Sequence, residues 1–143
     1  MRRLRELIRL SPPERSLFLR AWVAVVVVRA ALHVVPLPVL IRRRPAACRG
    51  RARAVPMERV LELLDVAARR TPGSTTCLAR VVAARWLLAG EGVDAGVHIG
   101  VARRGQALAA HAWLEHDGAA LGCDDPERDG YAELVGLRGG RPA

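Results

Sequence analysis

The N-terminal half of the chain spaces its apolar residues as helices do. The pattern over Arg2–Leu10 predicts a short amphipathic helix, and a long, strongly apolar helix is predicted from about Pro13 to Val35, with Ser11 at its N-cap. Pro36 and the proline two residues later are expected to end that helix. The Arg-, Ala- and Pro-rich stretch 42–56 has no such period, so it predicts a linker.

Two further helices are predicted after this linker. Residues Met57–Arg70 have one apolar face, and a Thr-Pro-Gly sequence ends their pattern. The next helix is apolar on most sides, as a helix at the centre of a domain would be. Its first turn contains Cys77, and Thr76 is one of three consecutive hydroxyl residues that can cap it. Gly90 and Gly92 mark its end.

Further along the chain the apolar residues change to a period of two, which is typical of strands. Val97–Val101, Ala107–His116 and Ala119–Cys123 are predicted as three strands. Arg103-Arg104-Gly105 is expected to form the first turn. Asp117-Gly118 is expected to form the second, because a two-residue hairpin turn needs positive φ at both positions. Helices followed by an antiparallel meander predict an α+β fold, and the polar tail beyond it contains only a few apolar docking points.

Composition limits what this α+β chain can be. Its 143 residues suit one domain, or one domain with an additional arm. With 51% hydrophobic residues general disorder is excluded, and with 3% aromatic residues a platform that stacks single-stranded nucleic acid is not expected. Three cysteines without CxxC spacing argue against a disulfide framework and a zinc ribbon. They favour a reducing compartment, and with no signal peptide evident we predict a cytoplasmic location.

The net charge of +9 is unevenly distributed. Residues 1–53 contain 13 Arg and two Glu, whereas residues 54–143 contain 10 Arg and 12 acidic residues. We therefore expect a basic, hydrophobic helical arm with its linker over residues 1–56 and a nearly neutral body over residues 57–143. Such an arm suits an acidic partner, a phosphate backbone or an anionic membrane surface, and a solvated arm without a partner is the plainer alternative. Nucleic acid is the poorest of these partners, because the arm is rich in Val and Leu and contains no recognition motif. Its apolar run before Arg29 is far shorter than the roughly 20 residues that span a bilayer, so membrane association is a minority alternative.

Cys77 and His111 are the most informative pair of residues. A thiol at a helix N-terminus lies beside unpaired backbone N–H groups and the positive end of the helix dipole, which favour the thiolate and can hold an oxyanion. If the Asp-Gly pair is a two-residue turn, facing residue numbers on the hairpin sum to 235, which places His111 opposite Asp124. A nucleophile on a helix, a base on a strand and an acid on the next strand are the outline of a Cys-His-Asp arrangement.

The same residues have structural interpretations. Taken alone, Cys77 is more simply a small core residue, His111 a satisfied strand residue, and the His–Asp pair a surface contact. A β-bulge would shift the register, in which case Asp125 is the alternative acid.

Three neighbours are candidates for oxyanion or substrate binding: Thr76, Arg80 and Trp113. Arg80, one helical turn after the cysteine, can bind either a substrate carboxylate or an acid of the core. Trp113 either belongs to the core or covers the site. No metal or cofactor is expected. The candidate metal ligands are Cys77, His98, His111 and Cys123, but the hairpin register turns Cys123 away from His111.

Three segments of the body carry a specific family resemblance. They are Cys77–Arg80 (Cys-Leu-Ala-Arg), Gly92–Val101 (Gly-Val-Asp-Ala-Gly-Val-His-Ile-Gly-Val) and Ala110–Glu115 (Ala-His-Ala-Trp-Leu-Glu). Together they resemble the transglutaminase-like core of lasso-peptide biosynthesis B proteins, the leader peptidases of lasso-peptide maturation, over roughly residues 57–126. The basic arm is similar, more weakly, to the variable N-terminal helices of that family.

The resemblance implies a papain- or transglutaminase-like fold, with a central Cys-bearing helix packed on an antiparallel sheet, and a triad of Cys77, His111 and Asp124. It implies a stand-alone cysteine peptidase that removes the leader from a ribosomally synthesised precursor through a thioester, without a cofactor. The implied partners are the precursor peptide, a separate leader-recognition protein and an ATP-dependent lasso cyclase. The family's acid stands in an Asn-Asp-like context, whereas Gly122-Cys123 precedes Asp124 here. The alternatives are a transglutaminase-type acyl transferase and a non-catalytic module that docks a partner or membrane through its basic arm.

Overall fold

The structure, a computed structural model, describes residues 10–42, 55–122 and 130–137. In this part of the chain four helices precede four strands, which confirms the predicted α+β fold. Apart from Leu10, the helix predicted over Arg2–Leu10 lies outside the described residues, as does most of the predicted linker. The elements are α1 Pro12–Ala31, α2 Leu37–Arg42, α3 Met57–Arg70, α4 Cys77–Gly90, β1 Gly96–Arg104, β2 Ala107–His116, β3 Ala119–Leu121 and β4 Ala132–Leu137.

A capping interaction fixes the start of α1. The backbone N–H of Ser11 donates to Oε2 of Glu14 at 2.8 Å, and the Ser11 hydroxyl contacts the same oxygen at 2.7 Å. Arg59 of α3 donates from Nε to the other oxygen of Glu14 at 2.7 Å, which links the two helices. The hydrogen bond from the Ser11 amide, followed by that from Arg59, lowers the pKa of Glu14 from 4.5 to about 2.

The end of α1 differs from the prediction. The helix stops at Ala31 rather than Val35, and Pro36 begins a second, short helix instead of a loop. Proline suits the first turn of a helix, because no backbone N–H is needed there. Pro36 and Pro38 therefore lie after the end of α1 and at the beginning of α2. The indole N–H of Trp86 donates to the Leu40 carbonyl at 2.8 Å and joins α2 to α4. No helix in the described ranges has an apolar stretch long enough to cross a membrane.

The centre of the molecule is α4, as its all-round apolar pattern predicted. Nine of its 14 residues are buried. It packs against α1, α2 and α3 on the helical side and against β1 and β2 on the other. Helix α1, which lies in the segment expected to form the arm, contributes five buried residues to the same core. The largest fully buried side chains are Leu17, Val25, Val28, Val60, Val82, Leu87, Leu88 and Val97.

The antiparallel sheet has the strand order β3-β2-β1-β4. The predicted turn Arg103–Gly105 is wrong in its bounds. Arg103 and Arg104 still belong to β1, where they pair with Leu108 and Ala107, and the turn begins at Gly105. The second turn is confirmed.

In that second turn Asp117 and Gly118 both have positive φ, 51° and 79°. The pairs Leu114↔Leu121 and His116↔Ala119 fit the sum of 235.

The two sheet edges were less predictable. β3 ends at Leu121 rather than at Cys123, because Gly122 takes a left-handed φ of 68° and leaves the ladder. The tail supplies a fourth strand that the sequence pattern did not predict. β4 pairs with β1, and its register shifts between Ile99 and Gly100.

Candidate active site

A cavity of about 600 Å³ lies where α3, the start of α4 and the β2–β3 hairpin meet. Cys77 and His111, the two residues that the sequence selected as nucleophile and base, both line it. Its volume falls within the roughly 300–1,000 Å³ typical of ligand sites. Most of the other lining side chains are apolar: Met57, Leu61, Leu64, Val81, Ala84, Ala112, Trp113, Leu114, Ala120 and Leu121.

Cys77 is exposed and is the first residue of α4. Thr76 is the N-cap, as predicted, and its Oγ1 accepts a hydrogen bond from the backbone N–H of Ala79 at 3.2 Å. The first intrahelical bond of this turn runs from the Arg80 amide to the Thr76 carbonyl at 3.2 Å. The amides of Cys77 and Leu78 have no acceptor within the helix and are available to a ligand at this terminus.

His111 is held between two aromatic rings. Its imidazole lies 5.2 Å from the Tyr131 ring at an angle of 38° and 6.3 Å from the Trp113 ring at 19°, measured between centroids. Trp113 is 5% exposed, so it is buried, and it also lines the cavity. Two flanking rings restrict rotation of the imidazole.

A buried histidine supports Trp113 from the opposite side. His98 is 5% exposed, and its ring stacks on Trp113 at a centroid distance of 5.9 Å. Its Nδ1 lies 2.9 Å from Oε1 of Glu133 on β4, and its Nε2 lies 3.7 Å from Oε2 of Glu115 on β2. The rings of Tyr131, His111, Trp113 and His98 therefore form a continuous stack across β4, β2 and β1.

The absence of a side chain at Gly100 leaves space for the Trp113 ring. A Cβ at this position would lie 2.9 Å from two Trp113 ring carbons and 2.7 Å from the Ala132 carbonyl oxygen. Both distances are shorter than a real Cβ contact allows. Only glycine lets the indole pack this closely against β1.

Arg80 forms an ion pair with Asp65 of α3, and both residues line the cavity. Arg69 pairs with the same carboxylate. Of the two roles considered for Arg80, the structure therefore shows a contact with an acid of the protein. Together with Glu58 and Glu62, Asp65 gives the α3 side of the cavity an acidic edge.

The two candidate acids belong to a part of the chain that the structure does not describe. Asp124 and Asp125 lie outside the described residues, as do Cys48 and Cys123. The paired ladder ends at Leu121, three residues before Asp124, so the placement of Asp124 opposite His111 stays a prediction. Within the described ranges no cluster of His, Cys, Asp and Glu is arranged to hold a metal ion.

Sequence reasoning missed several residues that shape this site. Tyr131 was treated as a docking point of the tail, although it is the chain's single tyrosine. Glu133 and His98 were not connected, because their contact depends on the unpredicted pairing of β4 with β1. Asp65 occupies one face of α3 at helical spacing from Leu61, but nothing in the sequence shows that this face meets Arg80.

A family model described as the transglutaminase-like superfamily matches residues 19–136. The match begins within α1, includes α4 with Cys77 and β2 with His111, and ends within β4. A comparison with curated proteins and a comparison with solved structures gave no match.

Proposed function

Because the chain belongs to the transglutaminase-like superfamily, which includes cysteine proteases and acyl transferases, we propose that it is a cysteine peptidase that removes the leader from a lasso-peptide precursor. One observation carries the proposal: Cys77 at the N-terminus of α4 and His111 on β2 line the same cavity. The Cys-Leu-Ala-Arg and Ala-His-Ala-Trp-Leu-Glu strings around these two residues supply the link to leader peptidases.

The reaction follows from the chemistry of these residues. Cys77 gives its proton to His111, and its sulfur attacks the carbonyl carbon of the last leader residue. The C–N bond of the scissile peptide breaks, and the departing amine takes the proton from His111. The leader remains on Cys77 as a thioester. Water, deprotonated by His111, attacks that thioester, which frees the leader carboxylate and restores the thiol.

The surroundings supply orientation and charge stabilisation. The unpaired amides of Cys77 and Leu78 are suited to hold the oxyanion of the tetrahedral intermediate, and the Thr76 cap fixes the helix end that presents them. Trp113 and Tyr131 act as positioning residues, because they hold the ring of His111 without touching the reacting bond. Asp124 is proposed as the acid that orients His111.

The core peptide released by this reaction has a free amino terminus, which an ATP-dependent lasso cyclase needs for ring closure. A separate recognition protein would bind the leader and present it, as the resemblance to lasso-peptide B proteins implies.

The test uses a lasso-precursor peptide, with and without a leader-recognition protein, in water enriched in oxygen-18. Mass spectrometry of the released leader is expected to show one heavy oxygen in its carboxylate. Cys77→Ala is expected to abolish cleavage, and His111→Ala to slow it by roughly 10²–10⁴-fold. Cys48→Ala is the matched control and is expected to cleave at the wild-type rate.

A labelled primary amine in the same reaction distinguishes the acyl-transfer alternative. A leader–amine adduct in place of the heavy carboxylate would assign the chain to transglutaminase-type transfer. Full cleavage by Cys77→Ala would refute the proposal altogether.

A further inference from the structure

Helix α1 is apolar on two opposite faces. Its inner face, formed by Leu17, Ala21, Ala24, Val25 and Val28, is buried in the core. A second row at helical spacing points the other way and is 37–62% exposed. We call this row the outer face of α1; it consists of Leu19, Trp22, Val23, Val26 and Val27.

A helix at a protein surface ordinarily carries polar residues on its outer side. The outer face of α1 instead extends for about 12 Å along the helix without a polar residue. Val34, three residues beyond the end of the helix, is a further exposed apolar residue, at 81%. A contiguous exposed apolar patch of this kind marks an interaction surface.

The sequence that contains α1 is strongly basic. From Arg15 to Met57 the chain contains nine Arg and no acidic residue. Arg20 and Arg29 flank the outer face on its two sides. Arg20 is paired with Glu91 at 3.4 Å. Arg29 donates to the Pro72 carbonyl, which is neutral, so this contact does not compensate its charge.

We propose that the outer face of α1 docks on an anionic membrane surface. The inner face is fixed in the core, so α1 can offer a bilayer only its outer side and lies in the plane of the interface. Its Leu and Val side chains would enter the acyl boundary, and Trp22 suits the headgroup level. Arg29, at the edge of this face, would bind a lipid phosphate.

A second copy of the chain is a poorer occupant. A symmetric dimer through this face would bring the Arg29 side chains of two copies to one interface, and the segment from Arg15 to Met57 contains no acidic residue to compensate them. The membrane proposal is also independent of the peptidase proposal, since it uses none of the residues of the cavity.

The test is flotation of the full-length protein with vesicles of phosphatidylcholine, alone or mixed with phosphatidylglycerol. Binding is expected only to the anionic vesicles and is expected to weaken at high salt. The triple variant Leu19→Gln/Val23→Gln/Val26→Gln keeps the charge and is expected to bind at least about tenfold more weakly. Leu108→Gln is the matched control, because Leu108 is 76% exposed on β2.

Trp22 provides a second measurement. It is 38% exposed, whereas Trp86 and Trp113 are 3% and 5% exposed, so vesicle-induced changes in emission report on Trp22. A blue shift that Trp22→Phe abolishes is expected. Cys77→Ala is expected to bind as the wild type does.

Three results would overturn the proposal. They are no binding to anionic vesicles at low salt, equal binding by the triple variant and the Leu108→Gln control, and a dimer in solution that the triple variant dissociates.

Discussion

Gly100 lies beneath the indole of Trp113, and Gly100→Ala is expected to destabilise the protein and to disturb the proposed base. The added Cβ would lie 2.9 Å from the Cη2 and Cζ3 atoms of Trp113 and 2.7 Å from the carbonyl oxygen of Ala132. Neither neighbour is the flexible end of a side chain, because one is a buried ring and the other is the backbone of β4. Displacing the indole also displaces His111, which stacks on it.

Gly100→Ala is expected to lower the free energy of unfolding by about 1–3 kcal/mol, which is the usual cost of a methyl group that a packed core cannot accommodate. The Trp113→Phe variant removes the two ring carbons that would clash. In that background Gly100→Ala is expected to cost less, by at least about 0.5 kcal/mol, while the contact with Ala132 retains part of the penalty.

Urea denaturation of the wild type, the two single variants and the double variant measures these terms. Cleavage of the precursor by folded Gly100→Ala protein gives the effect on the base, and we expect the rate to fall by more than the loss of folded protein explains. A cost of Gly100→Ala below about 0.5 kcal/mol, or the same cost in both backgrounds, would refute the packing described for Trp113.

Three further predictions concern residues around the site and the first helix. Thr76→Ala is expected to lower the free energy of unfolding by about 1 kcal/mol through loss of the helix cap, and Thr76→Ser to retain most of it, as urea denaturation would show. Because the folded pKa of Glu14 is about 2 and its ordinary value is 4.5, its stabilisation is present above pH 4.5 and is lost as the pH falls through 2. The stability difference between wild type and Glu14→Gln is therefore expected to shrink over that interval in urea titrations at each pH, and a constant difference would contradict the Glu14 contacts. Arg80→Gln is expected to change stability by less than about 1 kcal/mol, since its partly exposed pair with Asp65 is screened by solvent, and a larger loss in the same assay would contradict this.

Local signals in the sequence were sufficient for much of the fold. The period of apolar residues predicted α3, α4 and the β1–β2 pair, because each is an element whose burial follows its own pattern. The Asp117-Gly118 turn set the hairpin register, since both residues adopt the positive φ that a two-residue turn requires. Cys77 could be assigned to a helix N-terminus because Thr76 is a favourable cap.

Features that depend on distant contacts could not be predicted in this way. β4 has no clear alternation, and its position is determined by pairing with β1 at the far edge of the sheet. The ring stack of Tyr131 on His111 follows from that pairing. α2 was missed because proline is compatible with both the end of one helix and the beginning of the next.

The measurement that tests the central claim most directly is the alkylation rate of Cys77 by iodoacetamide at neutral pH, followed by site-resolved mass spectrometry. Cys48 in the same molecule serves as the internal reference. If His111 activates the thiol, Cys77 is expected to react about tenfold faster, relative to Cys48, in the wild type than in His111→Gln. Equal relative rates in the two proteins would contradict a Cys77–His111 catalytic pair.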